Sequence, residues 1–135
     1  MKLSPSPGIY IVTLNNYEPI SVNANDARIA DKAIKVTRAN IKVGKTQNLA
    51  ARAKGYQKTF GAQNMKFQAI AELDEPEAVE KLILARFDHL RIRGRTGRKN
   101  EWLHSISPSQ ALSVILEVLH GADYPFELLT TTVED

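Results

Sequence analysis

Five side chains have groups suited to work on a phosphate: Tyr10, Lys42, Arg52, Tyr56 and Glu80. A guanidinium such as that of Arg52 grips a phosphate through paired donors. A lone carboxylate such as Glu80 suits Mg²⁺, which takes few protein ligands and keeps several waters. Tyr56 follows Arg52 by four residues, so the two share a helix face. Taken singly, each has an ordinary structural reading. Tyr10 would be a core tyrosine of an apolar strand, Arg52 a surface arginine, and Glu80 a partner for Lys81 or Arg86. The triplet Gly44-Lys45-Thr46 ends like a phosphate-binding loop, but the pattern G-x-x-x-x-G-K-[ST] needs glycine at position 39. That residue is Ala39, which excludes a nucleotide-binding loop and a nucleotide cofactor. Arg91, Arg93, Arg95, Arg98 and Lys99, with Gly94 and Gly97 between them, read as a flexible basic loop that tracks a DNA backbone. Lys42, Lys45, Lys54 and Lys58 extend that surface, which would set affinity and register without reading sequence.

These groups depend on the elements that carry them. GIYIVTL (8–14) is β-branched and aromatic and predicts a buried strand. Residues 15–25 form a loop, and 26–33 a short helix with no evident role. Alternation over 34–44 predicts a strand near 40–44, paired as a hairpin with the residues before it. Tyr10 and Lys42 then become cross-strand neighbours facing one cleft. Thr46 is read as the N-cap of a helix through Lys54 that Gly55 ends. KFQAIAEL (66–73) is a third strand. Asp74, Pro76 and Glu77 start a helix reaching about Leu90. Ser107, Pro108 and Gln110 repeat the capping signature before a final apolar helix to His120. Residues 124–133 add a short strand or an ordered tail. The order implies an α+β domain, a small sheet covered by helices.

The chain of 135 residues predicts one domain with a real core, at 43% hydrophobic and 24% charged residues. No apolar run approaches the ~18 residues of a membrane span, and residues 1–7 lack the apolar stretch of a secretory signal. With no cysteine, disulfides and thiolate metal sites are excluded, which fits a cytoplasmic protein. Residues 1–99 hold all 18 bases and nine acids, whereas 100–135 hold six acids and no base. Such asymmetry suggests one face that meets a polyanion.

Gly8-Ile9-Tyr10, then KVGKTQNLAAR at 42–52, then EKLILARF from Glu80 and Glu101-Trp102-Leu103, resemble in order the GIY-YIG nuclease superfamily, in its phage-type branch. The resemblance covers roughly residues 8–104, with 105–135 as a C-terminal helix and acidic tail. It implies a three-stranded, mostly antiparallel sheet flanked by helices, with the last helix an addition. It also implies a metal-dependent endonuclease acting on DNA, of phage, mobile-element or restriction type. Tyr10 and Lys42 would activate water, Lys42 or the metal lowering the phenol's pKa. Arg52 would neutralise the phosphate, and Glu80 would hold Mg²⁺ or Mn²⁺. Tyr56 stands where that family often has histidine or tyrosine, and Asn100 matches a late asparagine. Lys42 replaces the second signature tyrosine, which favours an alternative: a catalytically inactive DNA-binding module. A third reading takes the apolar last helix and acidic tail as a protein-interaction surface. The composition of that helix, rich in Ala, Leu, Val and Ile, predicts that it completes the core, and an exposed part of it would support a homodimer.

Overall fold

The computed structural model describes residues 3–129 and 132–133. The chain runs β1 (Gly8–Leu14), β2 (Ile20–Ser21), β3 (Lys35–Val36), β4 (Ile41–Thr46), α1 (Leu49–Phe60), β5 (Met65–Glu72) and α2 (Pro76–Arg86). It continues through β6 (Arg91–Arg93), β7 (Lys99–Leu103), α3 (Pro108–Gly121), β8 (Glu127–Leu128) and β9 (Thr132–Val133). Short 3-10 turns lie at Ala30–Lys32 and Asp88–Leu90.

The architecture is α+β, but the expected three-stranded sheet is too small. The sheet has seven strands in the order β6-β7-β4-β1-β5-β8, with β9 also on β5. Every pairing in it is antiparallel. The three expected strands form its centre as β4, β1 and β5. The sheet is wider because the basic stretch 91–99 is no flexible loop. It turns as the β6–β7 hairpin, with Gly97 at φ +84° and its N–H bonded to the Gly94 carbonyl at 3.0 Å. Only glycine adopts that dihedral without strain. The glycines that suggested a structureless stretch are the turn chemistry of a hairpin.

β1 is covered on both faces, as a central strand should be. Ile9 and Ile11 pack with Ile41, Val43 and the apolar sides of α2 and α3. Tyr10, Val12 and Leu14 pack with Phe67, Ala69, Trp102 and α1. The sheet thus sits between α1 on one side and α2 with α3 on the other.

Three expected boundaries move. The cap of α1 is Asn48, whose side chain accepts from Ala51 N–H at 3.0 Å. Thr46 instead closes a small turn with Asn48. The helix continues through Gly55 to Phe60, because Phe60 gains a buried place edge-on to Trp102. A mid-helix glycine costs only about 1 kcal/mol, less than that burial returns. Residues 34–36 do not pair with β4; β3 pairs with β2 in a separate two-stranded ribbon. The Ser107–Gln110 capping box forms as its signature predicts.

Candidate functional site

Tyr10 lies across from Gly44, and Lys42 from Val12. The expected direct Tyr10–Lys42 pair is therefore a diagonal one, on one face of the sheet. The reason for the glycine is steric. A Cβ at Gly44 would come within 2.4 Å of the Tyr10 hydroxyl oxygen. The phenol thus lies over the bare backbone of β4, stacked on Phe67 with ring centroids 4.7 Å apart. Gly44 makes room for this ring. The Tyr10 hydroxyl bonds to that of Tyr56 at 2.8 Å. Burial raises the Tyr10 pKa well above the ordinary phenol range. Tyr56 and Glu80 push it further the same way, and Arg52 pulls against them. The expected lowering is not found, and the cation that acts on the phenol is Arg52.

Glu80 belongs to α2, in the layer opposite α1, yet it acts on the same phenol. β7 pairs with β4 only at Ile41 and Lys42. Beyond that point the outer edge of β4 has no strand beside it among the described residues. The carboxylate reaches this edge and accepts a hydrogen bond from the backbone N–H of Lys45. Burial raises its pKa, and the Glu101 carboxylate raises it further; Lys42 and Lys45 partly offset the rise. Lys42 Nζ lies 3.4 Å from Glu101 Oε1, and Arg91 lies 3.6 Å from Glu101 Oε2. A line of alternating charge thus runs from Arg91 through Glu101 and Lys42 to Glu80. Among the described residues, no group of three histidine or acidic side chains converges to hold a metal.

On the α1 side of this edge is a groove of about 570 Å³. Arg52, Tyr56 and Lys45 line it, with Asn48, Thr59 and Asn25. Tyr10, Lys42 and Glu80 do not line it. Two participants went unassigned in the sequence. Glu101 was noted only as part of Glu-Trp-Leu, and its distance in sequence from Lys42 and Glu80 gives no spacing cue. Asn25 ends the segment read as a loop, and its side chain accepts a hydrogen bond from the Thr59 hydroxyl at 3.3 Å.

The basic residues divide sharply. Arg91 ties its own hairpin through the Asn100 and Lys99 carbonyls at 2.7 and 3.2 Å. Arg93 holds the Gly97 carbonyl at 3.1 Å, and Lys99 pairs with Asp88. These three have partners within or beside the hairpin. Arg95 and Arg98 are exposed at its tip, as Lys54 and Lys58 are on α1. Asn100 bonds to the Ile92 carbonyl within the hairpin, away from the groove. Trp102 is a buried anchor.

Compared with known families, residues 9–119 match the T5orf172 domain. This corrects the assignment to the GIY-YIG superfamily. That assignment rested on short blocks, whereas the match extends through most of α3 as one unit. No curated protein and no solved structure matches the chain.

Proposed function

The chain belongs to the T5orf172 domain family, and on that premise we propose that it is a metal-dependent endonuclease hydrolysing phosphodiester bonds in DNA. The family is associated with nuclease-like, DNA-binding phage proteins. One observation carries the reading: Lys45, Arg52 and Tyr56 line one groove, and the Tyr56 hydroxyl is bonded to that of Tyr10 at 2.8 Å. A phosphate needs cations for its oxygens, a positioned hydroxyl or water for attack, and a hard cation for the leaving oxygen.

The groove mouth offers Arg52 and Lys45 to phosphate oxygens. Because Tyr10 keeps its proton, the Tyr10–Tyr56 pair orients the attacking water by hydrogen bonding and does not deprotonate it. Lys42, fixed by Glu101, places a positive charge beside Glu80 and donates to the same water. Glu80 fits a divalent cation. It is half-buried and repelled by Glu101, so a cation would relieve it, and Mg²⁺ needs no more than one or two carboxylates. When bound, Mg²⁺ or Mn²⁺ supplies charge for the leaving 3′ oxygen.

The test is nicking of supercoiled plasmid with Mg²⁺ or Mn²⁺ against a chelator control. Arg52→Ala and Glu80→Gln are expected to keep their circular dichroism and to lose about 100-fold or more in rate. Full activity in either variant would overturn this site. A second reading, DNA binding without cleavage, draws support from the high proton affinity of Tyr10 and the engagement of Lys42 by Glu101. It expects salt-sensitive binding and no nicking at any metal concentration.

A further inference from the structure

The segment between β1 and β4 touches the groove just described only through Asn25. Its β2–β3 ribbon leans on the turn of the β6–β7 hairpin, where a Cβ added at Gly94 would come within 4.0 Å of Ile34. Between ribbon and turn lies a second groove, of about 250 Å³, bounded by Val22, Asn23, Lys32, Arg95, Arg98 and Asn100. Three cations line it and no carboxylate does. Among the described residues the side chains of Lys32, Arg95 and Arg98 have no hydrogen-bond or ion-pair partner. This sets them apart from Arg91, Arg93 and Lys99, which the hairpin consumes. Like charges gathered without counter-ions repel one another and favour an anion that spans them.

The two grooves lie on either side of one short turn. Asn25 lines the first, and Val22 and Asn23 line the second. We propose that the second groove is a phosphate-binding surface that seats the DNA backbone a few nucleotides from the scissile bond, with the nucleic acid crossing over residues 23–25. This rests on the nuclease reading for the identity of the polyanion, but it does not require that the protein cut. The otherwise unassigned β1–β4 segment then has a role: it is the bridge between two points of grip.

The experiment is fluorescence anisotropy of a labelled duplex across a salt series, with plasmid nicking measured in parallel. The double variant Arg95→Ser/Arg98→Ser removes two exposed cations and no internal contact. Its expected binding is about tenfold weaker at moderate salt, with the slope of log K against log salt shallower by about two. Arg95→Lys/Arg98→Lys keeps the charge and is expected to keep the slope. Unchanged affinity and slope in the serine variant would overturn the second groove, even with nicking intact. Weakened binding in a protein that never nicks would leave the groove standing and remove the endonuclease. Failure of the wild type to bind DNA would remove both.

Discussion

Glu80 holds its charge at a cost, and that cost is measurable. The folded protein binds the Glu80 proton more tightly than the unfolded chain does, first through burial and then through Glu101. Its contribution to stability is therefore complete below the unfolded carboxyl range and is lost as pH rises through the raised folded value. Glu80→Gln is expected to melt above wild type at neutral pH and to lose less stability between acid and neutral pH, as read by calorimetry. Millimolar Mg²⁺ should raise the melting temperature of wild type and not of the variant. Tyr10 follows the same sign at the other end of the scale. Unfolding releases its proton once pH passes the ordinary phenol value of 10.0, so stability falls above that point. Tyr10→Phe should flatten this alkaline loss while costing about 1 kcal/mol at neutral pH for the hydroxyl pair. An unaltered alkaline limb in that variant would contradict the burial of this phenol. At this scale the pairing of the first strand with the strand of Lys42 was legible in the sequence, and the surroundings of Tyr10 were not. Arg52 and Tyr56 line one groove, whereas Tyr10 and Glu80 do not line it. The direction of the Tyr10 shift was not legible, because desolvation depends on Phe67 and α1 closing over the ring.

Among the elements, two glycines make a controlled comparison. A Cβ added at Gly44 would meet the Tyr10 hydroxyl oxygen at 2.4 Å, whereas one added at Gly55 would meet nothing within 4 Å. Gly44→Ala should cost about 1–3 kcal/mol in urea denaturation and suppress nicking by displacing the phenol. Gly55→Ala, in an exposed helix interior, should stabilise by about 0.5–1 kcal/mol. If both changes proved neutral, the close approach of Tyr10 to β4 would be wrong. The same pair explains a misread boundary. Gly55 looked like a helix end because propensity is local, while the packing of Phe60 on Trp102 that extends α1 comes from a strand far along the chain. The α3 capping box was legible because its bonds close within four residues. The β6–β7 hairpin was not, since Gly94 and Gly97 among so many charges made it look like a flexible loop.

On the scale of the whole molecule, α3 completes the core, as its apolar composition predicts. Ala111, Ile115, Val118 and Leu119 are buried with Ile9, Ile11 and Val43 in one cluster. Each large apolar side chain so buried stabilises by about 1.5–3 kcal/mol, against a usual net stability of about 5–15 kcal/mol. A chain ended after residue 104 is expected to show no cooperative thermal transition by circular dichroism, although it holds every residue of the candidate site. The charge asymmetry was plain in the sequence, but the acidic part does not simply stand apart. Glu101 enters the site, and Glu117 pairs with Arg86 at 3.2 Å.

The rim of β4 beyond Lys42, which no strand borders among the described residues, has a last consequence. A strand lacking a neighbour is a template on which another molecule can grow a sheet. Here the rim is guarded by the Lys45 side chain and by the Glu80 carboxylate, which takes up the amide hydrogen an incoming strand would need. The groups assigned to chemistry therefore also discourage self-assembly. Glu80→Leu should cloud in concentrated solution where Glu80→Gln stays clear, a difference that no assay of cleavage would reveal.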